Sequence, residues 1–126
     1  MTCKTSDNLT IFFDVQGNQN ATQSIVFLNG LSQSSVSWIL TTPFFKADYK
    51  IVLIDFIFQG QSDKTGEWRS FDQHAKDVIT VLDFLKIDSA IIAGLSYGSL
   101  VAQNLGVNSP KRVSKLILMS TFANKT

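Results

Sequence analysis

Cysteine, histidine, proline and charge are all scarce in this chain. Its 126 residues hold one Cys, one His and two Pro, and 17% are charged with a formal net charge of +1. A lone thiol, Cys3, cannot close an internal disulfide, which fits a reducing compartment. The near-neutral charge supplies no long-range field for nucleic acid or an acidic membrane surface. No apolar run approaches the length of a membrane span, and the N-terminus lacks a basic-then-apolar secretion signal. A cytoplasmic protein is the default expectation. There is no internal repeat, no low-complexity tract and no Pro/Gly-rich linker.

What is present is core material. Hydrophobic residues make up 44% of the chain and ten are Phe, enough for one domain around a single core. The pattern alternates strands and helices. Leu9 to Val15 reads as a strand ending at the turn-like Gln16-Gly17-Asn18, behind a loose N-terminus around Cys3. Ser24 to Leu28 is a short, nearly continuous apolar run, as in a strand buried on both faces of a parallel sheet. Ser35 to about Phe45 reads as a weak helix, which Pro43 must end or restart. Lys50 to Phe56 is the next buried strand, and Gly60 to Glu67 a loop.

The clearest helix begins at Ser70, where Ser70-Phe71-Asp72-Gln73 reads as a capping box and Asp72 favours the positive helix end. Phe71, Ala75, Val78, Ile79, Leu82 and Leu85 then share one face. Ala90 to Ala93 is a strand, Tyr97 to about Leu105 a helix, and Val113 to Ser120 a final strand. This order implies right-handed crossovers and an α/β fold, a mostly parallel sheet with helices on both faces. In such sheets chemistry sits beyond the C-terminal strand ends. Asn29-Gly30, Asp55 and Ser96 all fall there.

Gly94-Leu95-Ser96-Tyr97-Gly98 is a G-x-S-x-G pentapeptide between a strand and a helix, the pattern of a nucleophile elbow. The turn strains the serine backbone, so the residues two away must be small, as Gly94 and Gly98 are. With Ser96 placed, the chain resembles the N-terminal half of an α/β-hydrolase, in the group of small esterases, lactonases, thioesterases and C–C hydrolases. Leu28-Asn29-Gly30-Leu31 occupies the position of that family's His-Gly oxyanion loop. Asp55 to Ser62 (Asp-Phe-Ile-Phe-Gln-Gly-Gln-Ser) occupies its D-x-x-G-x-G-x-S segment. Two residues depart from the pattern: Asn29 stands where His is usual, and Phe58 where Gly is usual.

The resemblance implies Ser96 as nucleophile and the backbone N–H groups of Tyr97 and Leu31 as the oxyanion hole, with no cofactor and no metal. It places the triad acid and His after Thr126, with the variable cap. The expected unit is therefore residues 1–126 as the N-terminal portion of one hydrolase domain, its cap and C-terminal strands absent. Lys115 to Met119 would then be an unprotected apolar edge, which argues against a stable monomer. A complementing C-terminal chain, a homo-oligomer, or a fragment of a longer protein would each resolve this, and the last is favoured.

Other residues carry blander readings beside functional ones. Asn29-Gly30 is also an ordinary tight turn. Gly30 and Trp38 are candidate substrate-binding residues. Trp38, Trp68, Phe44, Phe45, Phe56 and Phe58 fit an apolar acyl pocket or plain core and surface positions. His74, near the start of its helix, is expected to be a satisfied or solvent-facing helix histidine, and Asp55 a structural turn residue. The expected function is a serine hydrolase acting on a small-molecule carboxylic ester, lactone or thioester. An acyltransferase on the same elbow and a non-catalytic ligand-binding or regulatory homologue are the alternatives. Dinucleotide binding fails, since the glycine spacing is not G-x-G-x-x-G. The Asp nucleophile of haloalkane and epoxide branches is not matched by Ser96.

Overall fold

A computed structural model describes residues 1–65 and 67–120. It contains β1 (Thr2–Lys4), β2 (Thr10–Gly17), β3 (Ser24–Leu28), β4 (Lys50–Asp55), α1 (Phe71–Phe84), β5 (Ala90–Leu95), α2 (Tyr97–Asn108) and β6 (Val113–Met119). They form one six-stranded sheet in the order β1-β2-β4-β3-β5-β6. β1 pairs antiparallel with β2, and β2 with β4. The strands from β4 through β3 and β5 to β6 are parallel. This is a mostly parallel α/β sheet whose antiparallel part lies at the N-terminal end.

Strand alternation sorts the core into two layers. Val26 and Leu28 of β3, Val52 and Ile54 of β4, and Ile92 of β5 face α1 and α2, meeting Val78, Leu82, Val101 and Leu105. Ile25, Phe27, Ile51, Leu53 and Ile91 face the other way, meeting Trp38, Phe45 and Tyr49. Helical segments lie on both faces, but unequally. The α1/α2 face carries two long helices; among the described residues the other carries short 3-10 turns at Ser35–Trp38 and Thr42–Phe44.

Those turns correct the expected helix over 35–45. Pro43 has no N–H to donate, and the segment buries Trp38 and Thr42 while Val36, Ile39, Leu40 and Phe44 stay exposed. It therefore offers no continuous apolar stripe for an α-helix. The N-terminus also differs from expectation. Residues 2–4 are a strand, with Cys3 opposite Ile11, and burial pushes the Cys3 thiol pKa up. At the start of α1, Ser70 Oγ accepts from the Gln73 N–H at 3.1 Å. Only that half of the capping box forms, because the Gln73 side chain turns to Asp77 Oδ1 at 3.2 Å.

Gln73 turns that way because α1 carries a buried ion cluster. Arg69 donates to Asp77 through Nε at 2.7 Å and Nη2 at 2.8 Å. It also donates to Asp7 through Nη1 at 2.9 Å and Nη2 at 3.0 Å. Asp7 sits in the turn between β1 and β2, so Arg69 ties that hairpin to α1. The Asp77 carboxylate raises the Arg69 pKa above its ordinary value, and the Arg69 guanidinium holds Asp7 well below the usual carboxylate range. β6 closes the sheet on the far side, with Leu116 and Ile117 exposed at 40% and 45%.

The two carboxylates should differ in weight. Asp77 is fully buried, whereas the Asp7 side chain is 49% exposed. Arg69→Met, which strands Asp77, should lower unfolding free energy by about 3–5 kcal/mol. Asp7→Asn should cost at most about 1 kcal/mol. Denaturant midpoints measure both; equal losses would contradict this ranking.

Candidate active site

Three loops meet beyond the C-terminal ends of β3, β4 and β5. Asn29, just past β3, is fully buried. Its Nδ2 donates to Ile54 O at 2.8 Å and to Gln59 Oε1 at 3.1 Å. Its Oδ1 accepts from Trp38 Nε1 at 2.7 Å. Gln59 Nε2 in turn donates to Gly30 O at 2.8 Å, and Gln33 Oε1 accepts from Gly30 N at 3.0 Å. These bonds leave Asn29 no free polar atom in the core and fix the path of Gly30 and Leu31.

Asp55, at the end of β4, accepts from Ser35 N at 2.7 Å and Gln61 N at 3.0 Å. It holds the neighbouring loops by their backbone. Phe58, where glycine is usual in the resembled pattern, sits at φ +85°, so this segment makes a left-handed turn at the cost of local strain.

Ser96 joins β5 to α2 with φ 52° and ψ −112°, a sparsely populated conformation for a non-glycine residue. Its backbone is over-determined: its N–H donates to Met119 O at 2.9 Å, and its carbonyl accepts from Ser99 N at 2.9 Å and Ser99 Oγ at 2.5 Å. The flanking glycines allow the turn. A Cβ on Gly94 would lie 2.4 Å from Gly98 O, and one on Gly98 would lie 2.3 Å from Leu28 O. Neither contact involves a side chain that could move aside.

A cleft of about 740 Å³ opens over these loops, walled by Leu31, Phe56, Phe58, Gln59, His74 and Tyr97 among others. Two of the expected site residues, Leu31 and Tyr97, share that wall, and neither backbone N–H makes a hydrogen bond among the described residues. Gly30, Trp38 and Ser96 are not part of the wall. Trp38 is a correction: it is 5% exposed and packs on Phe27 with ring centroids 4.8 Å apart. Its indole is spent on the core and on Asn29. Of the other aromatics, Phe45 supports the core, while Phe44 and Trp68 are exposed.

His74 is a second correction. It is 2% exposed, so it does not face solvent, and its Nδ1 is buried with no hydrogen-bond partner. Its ring lies between Phe56 and Tyr97, at 5.0 and 5.5 Å between centroids. Burial, with the Arg69 charge second, pushes its pKa down to about 4. The sequence showed a polar residue at a helix boundary. The rings that enclose it come from β4 and α2. Among the described residues no group of three or more His, Cys, Asp or Glu could hold a metal ion, and no helix is long and apolar enough to cross a membrane.

Residues 23–126 match the family model described as alpha/beta hydrolase fold. The chain belongs to the alpha/beta hydrolase fold family. It is 32% identical over 101 residues to 3-oxoadipate enol-lactonase 2 of Acinetobacter baylyi, covering 79% of this chain and 38% of that protein. Among solved structures, a hydrolase from Pseudomonas aeruginosa superposes with a TM-score of 0.96 at 23% identity, over 100% of this chain and 47% of the other. Est816, described as an N-acyl homoserine lactone degrading enzyme, superposes with a TM-score of 0.89 at 32% identity, over 96% of this chain and 45% of the other. The chain thus spans less than half the length of the relatives it matches. Within that fold it supplies β5, the turn at Ser96, α2 and the loop after β3.

Two outcomes check this geometry. Gly98→Ala should lower unfolding free energy by about 3 kcal/mol or more, because backbone must shift to admit the methyl group; an unchanged denaturant midpoint would contradict the close approach. For His74, the folded pKa of about 4 lies below the ordinary 6.5, so the unfolded state binds the extra proton. The stability of the neutral ring is full above pH 6.5 and is lost as pH falls towards 4, by up to about 3 kcal/mol. His74→Phe should remove that loss, seen as the difference between the two stability–pH curves. The Asp7 pKa is lowered in the fold as well, so its contribution is lost in the same direction but only as pH falls below its unfolded value, near 3.8.

Proposed function

We propose that this chain is the nucleophile-bearing part of a serine hydrolase acting on a small carboxylic ester, lactone or thioester. Ser96 Oγ attacks the carbonyl carbon and loses its proton to a base. The carbonyl oxygen becomes an oxyanion, which the N–H groups of Leu31 and Tyr97 bind. The bond to the leaving group then breaks, leaving an acyl-enzyme on Ser96 that water hydrolyses. Removing one such donor typically costs roughly a hundredfold in rate.

The observation that carries this reading is the strained backbone of Ser96, held between a strand and a helix by glycines that admit no Cβ. Strain of that kind persists only where surrounding structure enforces it. The lactonase and esterase names of the relatives favour a small acyl substrate. No hydrogen bond joins His74 to Ser96 among the described residues. We therefore assign the proton acceptor and its orienting acid to polypeptide outside them, whether a continuation, a complementing chain or a second copy.

Labelling with a fluorophosphonate, read by intact mass beside Ser96→Ala, tests this. The expected result is one adduct per chain that disappears in Ser96→Ala. Absence of labelling in folded protein that includes the polypeptide supplying the base, or labelling that survives Ser96→Ala, would overturn the assignment.

A further inference from the structure

Of the polar side chains that line the cleft, His74 is the one that holds a buried atom with no hydrogen-bond partner among the described residues. His74 lines the cleft beside Phe56 and Tyr97, on the same wall as the two residues assigned to the oxyanion hole. Its ring cannot turn freely, being packed between those aromatic rings at 5.0 and 5.5 Å. Of its two nitrogens, Nδ1 is sealed from solvent without a partner. Nε2 has no partner within the described residues either, yet it is not sealed. Since His74 borders the cleft, Nε2 is the nitrogen that reaches it.

Which nitrogen holds the proton follows from satisfaction. A neutral imidazole has one N–H and one bare lone pair. An orphaned buried N–H is rarer and costlier than an orphaned acceptor, so the proton belongs on Nε2 and the lone pair on Nδ1. The ring is neutral at ordinary pH because burial disfavours its charged form. Phe56, Phe58 and Leu31 thus form the apolar part of a cleft whose rim also carries Ser32, Ser34 and Ser37, and the His74 N–H lies beside that apolar part.

We propose that His74 Nε2–H is a specificity element that donates a hydrogen bond to a second oxygen of the ligand, distinct from the carbonyl that reacts. The ligand class is then an acyl compound bearing an extra carbonyl or ether-type acceptor, in preference to one with only hydrocarbon beyond the reacting group. This deepens the proposed hydrolase reading and rests on it for the placement of the reacting carbonyl. A hydrocarbon at this point leaves the N–H unpaired, and discrimination arises from that loss.

Three isosteric amides that resist hydrolysis separate the outcomes: N-butylpentanamide, N-butyl-4-oxopentanamide and N-(3-oxobutyl)pentanamide. The ketone lies on the acyl side in the second and on the amine side in the third. Titration calorimetry should show at least one ketone binding roughly tenfold more tightly than the parent amide. The same ketone should shift the imidazole Nε2 signal of His74 in a ¹⁵N spectrum, and the parent amide should not. In His74→Phe the preference should collapse. In His74→Gln, which restores an N–H donor, it should partly return.

Equal binding of all three amides, binding of none, or a preference that survives His74→Phe would overturn the proposal. If His74→Phe does not fold, His74→Gln and the ¹⁵N shift in the unaltered protein decide it. A proton found on Nδ1 in that spectrum would also overturn it. Because these amides report binding alone, a failure of Ser96 labelling sinks the hydrolase reading without touching this result.

Discussion

The backbone of α2 begins almost in contact with the end of β3. The space that a Cβ of Gly98 would need is taken by the carbonyl of Leu28, and the space for one on Gly94 by the carbonyl of Gly98. That double contact forces the chain to turn at Ser96 with a positive φ. It also fixes how far the first turn of α2 stands above the loop that follows β3. The relation between Tyr97 and Leu31 is thus set by the close approach that the missing methyl groups allow, together with the hydrogen bonds that hold Gly30. Hydrogen bonds from Ser99 to the Ser96 carbonyl then hold the strained residue in place.

Around this contact the polar groups are spent on positioning. Asn29, Gln59 and Trp38 bond one another and the backbone beneath the loops. Asp55 gathers two more backbone N–H groups. Each of these side chains is buried, so each would be costly if its partner were removed. They make the loops rigid, and of the four only Gln59 also borders the cleft. Among the described residues, the backbone N–H groups of Leu31 and Tyr97 and the imidazole of His74 stand outside that pattern.

β3, β4 and β5 were legible because their burial is two-sided. β3 is buried at every position and reads as an unbroken apolar run, which no helix of that length would need. The elbow was legible because glycine, serine and glycine at fixed spacing meet one steric demand. Segments defined by distant partners were not legible. β1 is three residues with no apolar period and exists through its pairing with β2. The 3-10 turns over 35–44 are shaped by Trp38 reaching down to Asn29, which no local pattern shows. His74 was misjudged for the same reason: its surroundings are Phe56 and Tyr97, brought to it from other elements. The amide of Gln59 stood inside a recognisable segment, yet its bonds to Asn29 and Gly30 depend on the fold.

The central claim is that this geometry makes Ser96 the atom that accepts an acyl group. Rapid acid quench during turnover of a slowly deacylating aryl ester, followed by peptide mapping, tests it directly. The account predicts an acyl mass on the peptide spanning residues 94–98, located at Ser96, appearing as fast as the phenol is released. An acyl group found on another residue, or phenol released with no acylated peptide, would contradict it.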